Sequence, residues 1–272
     1  MLKKLINRQI PTLATFFLLY QSQLWSQPFE FSTVGNVYPS SKSTIGSQVV
    51  GRIDYLYVEV GQEVSKGQPI VAIDPTFFQI DLAKKNSILE SAKIDLADAE
   101  TNYLRMKRLW EKNNGQTPSV SLKKFEEAKS KYDLAHAQVK QDEEEVRRAQ
   151  ANLNETVIRA PFDGVVSKKL VDQGESISAV PATPIIEMQS LTPVYLEFSI
   201  PQVYLNNVQV GTPIQFEVEG TGQAHYAAKI DLIYPCLDEA TRSIRCRAII
   251  SNQDRKILPG SFAKILIKGN KS

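Results

Sequence analysis

Between residues 75 and 156 apolar side chains recur with a period of seven. Leu82, Leu89, Leu96, Tyr103 and Trp110 stand seven apart, and three positions beyond them lie Lys85, Ala92, Ala99 and Met106. After a break at residues 113–118 the period restarts at Phe125, Tyr132, Val139, Val146 and Leu153, partnered by Ala128, Ala135, Asp142 and Ala149. Such a repeat is the seam of packed helices. Two seams of equal length joined by a short turn predict an antiparallel helical hairpin, each arm roughly 50 Å long at 1.5 Å per residue. Two polar residues interrupt the seam, Lys85 and Asp142. Asp142 either weakens packing locally or marks a third contact. The acidic run 142–145, followed by Arg147 and Arg148, reads as a solvated face.

On either side of this helix the period shortens and one pattern is written twice. The first copy has Val50-Gly51-Arg52-Ile53, then Gly61-Gln62-Glu63-Val64, then Gln68-Pro69-Ile70-Val71-Ala72-Ile73-Asp74. The second has Asp163-Gly164-Val165-Val166, then Gly174-Glu175-Ser176-Ile177, then Thr183-Pro184-Ile185-Ile186-Glu187-Met188. In both, two glycines lie ten apart and an aliphatic residue follows the second by three. Each half reads as short strands with turns at its glycines, leaving one apolar face bare. Facing one another, the halves bury both faces as a small β sandwich. From about residue 193 alternating segments at 194–200, 213–218, 227–234, 243–250 and 261–267 predict a small antiparallel barrel. The fold class is therefore mixed α and β, modular, with a helical insertion splitting a duplicated β unit.

Composition adds the compartment. Of the 272 residues 23% are charged and the formal net charge is +2. Residues 1–26 hold Lys3, Lys4 and Arg8 and no acid, so the remainder carries 29 basic against 30 acidic residues. No basic stripe with interleaved aromatics appears, and a nucleic-acid partner is not expected. Those three cations precede an apolar run over about residues 10–20 and then a polar segment, the layout of a secretory signal ending near Ser26. The run is too short to span ~30 Å of hydrocarbon as a helix. No Cys lies beside it, so no lipoprotein anchor is expected. The histidines, His136 and His225, lie in different modules without ligand neighbours, and Met1, Met106 and Met188 form no cluster. No metal, cofactor or catalytic constellation is predicted, and an enzyme is not expected.

The split repeat resembles the biotinyl/lipoyl carrier domain, two quasi-symmetric β halves meeting at a hairpin. In carriers that hairpin presents a modifiable Lys. Here the helical insertion begins at that place, after Ile73-Asp74, so a carrier subunit is a remote alternative. A lipoyl-like domain split by a helical hairpin is similar to the membrane fusion proteins, the periplasmic adaptors of tripartite efflux pumps. The barrel region strengthens this with Asp238-Glu239-Ala240-Thr241-Arg242-Ser243, Arg247-Ala248, Asn252 and Leu258-Pro259-Gly260, which match the family's barrel signature. The resemblance covers nearly all of residues 32–267. It implies a signal peptide at 1–26, an N-terminal strand segment at 27–45, lipoyl-like halves at 46–74 and 157–189, the hairpin at 75–156 and the barrel at 190–272.

The resemblance further implies a periplasmic protein associated with the inner membrane. Its expected partners are an inner-membrane efflux transporter, an outer-membrane channel and further copies of itself in a ring, by similarity a hexamer. A resistance-nodulation-division transporter is favoured. The alternative is an adaptor of an ATP-driven export or type I protein secretion system. In many members the hairpin tip docks into the exit duct through an Arg, a Leu four on and a Ser seven further. Arg105 and Leu109 match the first two, but the seventh residue after Leu109 is Gln116. The Ser opening the second helix is Ser121, so the tip reads as five residues longer, with Asn114, Gly115 and Pro118 in the added loop. Arg105, Leu109 and Ser121 are the expected docking residues. The bland alternative gives Arg105 a solvating role and makes Ser121 a helix N-cap. The chain stops about twelve residues after Pro259-Gly260, where family members usually continue, and this points to a short adaptor.

Cys236 and Cys246 lie symmetrically about Thr241, the middle of a predicted hairpin turn. Directly opposed residues come near disulfide range, and an oxidising periplasm permits the bond. Two unlinked thiols with a packing role are the alternative.

Overall fold

The computed structural model describes residues 28–111, 119–220, 222 and 225–270, so the expected signal segment lies outside the described residues. In chain order the elements begin with strands β1 (Pro28–Pro39), β2 (Lys42–Gly46), β3 (Gly51–Leu56), β4 (Glu63–Val64) and β5 (Pro69–Ile73). Helices α1 (Thr76–Glu111) and α2 (Leu122–Asn154) follow, then β6 (Val157–Arg159), β7 (Gly164–Lys169), β8 (Ser176–Ile177) and β9 (Pro184–Gln189). The chain ends with β10 (Val194–Pro201), a 3-10 turn (Gln202–Asn207), β11 (Pro213–Val218), β12 (Tyr226–Asp238), β13 (Ser243–Ile250) and β14 (Phe262–Asn270). Two units result, residues 41–189 and residues 1–40 with 190–272.

In the first unit the repeat becomes two four-stranded sheets, β2-β9-β7-β4 and β6-β5-β3-β8. Each half lends its shortest strand to the other half's sheet, β4 beside β7 and β8 beside β3. The matched glycines account for this exchange. Gly61 and Gly174 hold φ of 87° and 89°, a left-handed conformation open to glycine at little cost. Their N–H groups donate to Val166 O and Ile53 O respectively, both at 2.9 Å, the same position of the opposite half. In return Val166 N–H donates to Gln62 O at 3.0 Å and Ile53 N–H to Glu175 O at 2.8 Å. The halves are thus tied by two copies of one hydrogen-bond pair, and Ile53, Ile70, Ile73, Val166, Ile185 and Met188 close between them as a buried apolar core.

The hairpin grows from neighbouring strands of one sheet, which explains its antiparallel course. β5 runs into α1 and α2 runs into β6, and β5 pairs with β6 through Ala72 and Val157. At the entry the Asp74 carboxylate accepts the Thr76 N–H at 3.0 Å and the Thr76 hydroxyl at 2.7 Å. These bonds hold its pKa below the usual carboxylate value and satisfy a donor that a helix start leaves orphaned. At the exit the Thr156 hydroxyl donates to Leu153 O, and Thr156 O accepts the Ile73 N–H. All eighteen seam positions read from the heptad pattern are buried or half-buried.

In the second unit strict alternation produces a closed barrel, ordered β1-β10-β13-β12-β11-β14. Val194, Leu196, Phe198 and Ile200 point inward from β10, and Ile214, Phe216 and Val218 from β11. The five segments read from the sequence are present, but closure requires a sixth, β1. It pairs with β14 on one side and β10 on the other. The expected strand segment at 27–45 is therefore divided: β1 belongs to the barrel, while β2 pairs with β9 in the sandwich. Gly35 makes the closure possible. A Cβ there would lie 2.5 Å from Glu197 O and 2.9 Å from the Ile265 side chain, so only hydrogen fits where β1 crosses the core.

Candidate functional site

The hairpin end farthest from the sandwich is built on aromatic rings. Tyr103 stacks on Tyr132 at 5.3 Å and on Phe125 at 6.0 Å, and Trp110 lies parallel to Phe125 at 5.9 Å. Where the lower seam meets through Ala92 and Ala149, the tip meets through flat rings. These fill the seam with stiff side chains carrying few rotatable bonds.

This support positions the expected docking residues as follows. Arg105 is exposed, and its guanidinium donates to Asn102 Oδ1 at 2.8 Å. Leu109, one turn on, is 36% exposed. The two line one open groove of about 580 Å³ with Arg108 and Glu111. Arg108 was not singled out by sequence reading, although its place three residues after Arg105 puts it on the same helix face. Ser121 does not line this groove. It precedes α2 in extended conformation (φ −70°, ψ 149°), and its hydroxyl makes no capping bond. Ser121 thus occupies the N-cap position without the side-chain cap, and only its carbonyl joins the helix, accepting the Phe125 N–H at 3.2 Å. Residues 112–118, with the expected added loop at Asn114, Gly115 and Pro118, and Gln116, lie outside the described residues.

Nearer the sandwich the two polar seam residues behave differently. Lys85 Nζ reaches Glu145 Oε2 across the hairpin at 2.9 Å. Asp142 is buried, accepts Gln138 Nε2 at 3.1 Å through Oδ1, and leaves Oδ2 without a partner.

The barrel residues that carried the family resemblance serve its construction. Asp238 Oδ1 accepts the Ala240 and Thr241 N–H groups, closing the turn before β13. Arg247 grips Asp231 (Nη2 to Oδ2, 2.7 Å) and lies 4.4 Å from the Tyr195 ring centre. Asn252, buried, donates to Leu191 O and Ile257 O and accepts the Ile257 N–H, joining separate loops. Gly260 N–H donates to Val37 O and Val37 N–H to Ser261 O, fastening the 258–260 turn to β1.

The structure does not pair the cysteines. Both are free, Cys236 exposed and Cys246 fully buried in the barrel core. Burial pushes the Cys246 thiol up to about 11. The symmetric register fails because β12 bulges: Leu237 faces Ile244, but Cys246 faces Ile233, so three β12 residues stand against one on β13. Pro235, which has no N–H to give to a ladder, lies in that bulge. Among the described residues no group of three His, Cys, Asp or Glu is placed to hold a metal ion. Among the same residues no helix is long and apolar enough to cross a membrane.

Two family models match in tandem. One described as "RND MFP, barrel-sandwich hybrid domain" covers residues 41–189, and one described as "CusB-like, beta-barrel domain" covers residues 193–271. The chain is similar to the multidrug resistance protein MdtA of Escherichia coli, 27% identical over 248 residues, covering 88% of this chain and 59% of the relative. A second MdtA, from Xenorhabdus bovienii, is 27% identical over 255 residues, covering 92% of this chain and 60% of that one. The chain thus spans about three fifths of the length of these curated relatives. In fold it is similar to MacA from Actinobacillus actinomycetemcomitans (TM-score 0.69, 24% identity, 89% of this chain and 79% of that one).

Proposed function

The chain belongs to the RND membrane fusion protein (MFP) family, and from that premise we propose that it is a periplasmic adaptor in tripartite efflux. In this reading it is exported, associates with the inner membrane, and links a resistance-nodulation-division transporter to an outer-membrane channel. It performs no catalysis. Several copies, six by family likeness, stand side by side as a ring around the exported small molecule.

One observation carries the reading. The point at which a lipoyl-like domain would present its reactive lysine is occupied by a rod. Helix α1 alone, at 36 residues, spans about 54 Å, and it is rooted with α2 on the adjacent strands β5 and β6. A rod whose two helices are both rooted in one sheet carries position and force; a swinging carrier arm needs a single flexible attachment. Arg105 and Leu109, together at the far end, are the residues of this rod that meet the channel, with Ser121 at the start of the second helix joining them.

The test is a photoreactive residue at position 109, irradiated in intact cells. The expected product is a covalent complex with an outer-membrane channel, lost on Arg105→Glu. Recovery of no outer-membrane partner from a normally exported chain overturns the adaptor reading.

A further inference from the structure

The hairpin is electrically polarised along its length. Residues 103–111 and 121–131, which form the tip, carry seven Lys or Arg against three Asp or Glu. Residues 76–100 and 132–155, which form the root, carry six against eleven. The tip therefore bears a net +4 and the root a net −5.

The pairing of these charges differs as well. At the root Lys85 and Arg148 both bind Glu145, and Arg147 binds Glu144. Among the described residues Arg105, Arg108, Lys124, Lys129 and Lys131 have no acidic partner within 4 Å. The Arg105 and Arg108 guanidinium bonds go to the Asn102 amide oxygen and the Leu104 carbonyl, neither of which cancels charge. Interspersed with these cations, Leu104, Leu109 and Leu122 are exposed. The middles of the two zones lie some nineteen residues apart, about 28 Å along the helix. That is more than three screening lengths at physiological salt, each ~8 Å. The centre of the acidic root therefore lies beyond the screening range of the centre of the basic tip.

We propose that the tip is a docking surface for an acidic protein partner, with the exposed leucines as apolar anchors inside a basic field. The proposal rests on the adaptor reading for the identity of that partner, the periplasmic end of the exit duct. It adds what that end must look like. Copies standing side by side bring tip to tip, so each added hairpin raises the repulsion at the rim until negative charge meets it. An acidic duct end relieves that repulsion and steers the encounter. The one other arrangement that satisfies the charges is an antiparallel pair of hairpins, basic tip on acidic root.

Trp110 provides the readout, because Trp25→Phe in the full chain leaves it as the sole tryptophan. Poly-L-glutamate should shift Trp110 emission, with affinity falling about tenfold or more as NaCl rises from about 20 to about 200 mM. Poly-L-lysine should do nothing. The exposed triple variant Lys124→Glu/Lys129→Glu/Lys131→Glu, its helix content checked by circular dichroism, should lose the response. An absent poly-L-glutamate shift, or an equal shift in the triple variant, overturns the proposal. So does a response confined to phosphatidylglycerol–phosphatidylethanolamine vesicles, which assigns the surface to lipid, or salt-sensitive self-association without any probe, which assigns it to the antiparallel pair. In cells, channel capture from position 109 that survives the triple reversal sinks the acidic-partner proposal and leaves the adaptor intact. Capture lost from both forms sinks the adaptor reading itself.

Discussion

Four of the eight residues of barrel strand β13 are buried, whereas α1, with 36 residues, buries only Ala92 to the same degree. The barrel has no free edge, and its inward faces meet one another across a core that includes Leu196, Phe216 and Ile265. The hairpin closes one narrow seam and leaves the rest of both helices in solvent, Phe77, Ile80, Ile94 and Leu134 among them. The difference is one of purpose as well as packing. A closed barrel is finished when it folds, while a two-helix rod keeps most of its surface for whatever stands next to it.

The sharpest test of that contrast removes a phenylalanine from each region. Phe216→Ala in the barrel core should cost about 3–5 kcal/mol in denaturant unfolding, because Phe216 is 1% exposed. Phe77→Ala, at 74% exposure on α1, should stay within about 0.5 kcal/mol. Equal costs would break the comparison. The thiols give an independent readout: in the native protein at pH 8 only Cys236 should react with a thiol reagent. Cys246, buried and with its thiol held up to about 11, should react only on unfolding, and sooner in Phe216→Ala.

A smaller effect is expected inside the seam. Ala128→Leu places a large side chain where two helices touch through a methyl group, and should cost the hairpin about 1–3 kcal/mol by thermal melting. Asp142→Leu should act in the opposite direction, gaining about 1 kcal/mol, since Oδ2 is buried without a donor and an apolar residue suits the position. Destabilisation by that variant would show that the bond from Gln138 outweighs the unpaired buried oxygen.

The smallest effect belongs to Glu145, whose carboxyl is held below its usual pKa by the hydrogen bond from Lys85 and by the nearby Arg148. A carboxylate with a lowered folded pKa stabilises above its unfolded value and loses that contribution as pH falls through the folded one. The melting difference between the wild type and Lys85→Met should therefore be present at neutral pH and close in acid. A difference that persists unchanged at low pH would assign Lys85 a packing role alone.

Much of this was legible in the residues, and the reason is locality. The heptad positions are set by turns of a single helix, so every seam residue from Leu82 to Leu153 could be named without a partner in view. The glycine pair of each β half likewise marks turns that depend only on local backbone freedom. Arg105 and Leu109 share a groove because i and i+4 always share a helix face. What could not be read was pairing over distance. The place of β1 between β10 and β14 joins residues more than 150 positions apart, and nothing in its alternation says which sheet it enters. The cysteine register looked symmetric about Thr241 until the bulge around Pro235 moved it. Ser121 sits at a helix start as its type suggests, yet its hydroxyl does not turn back to cap.

The chain by itself thus determined the elements, their periods and the identity of the faces they must bury, since these follow from side-chain order along one strand or helix. Tertiary structure alone decided that each half of the repeat completes the other's sheet, that β1 closes the barrel, and that the cysteines stay apart. Those outcomes depend on hydrogen bonds such as Gly61 to Val166 and Gly35's close passage by Glu197, whose partners are chosen only when distant segments compete for the same edge.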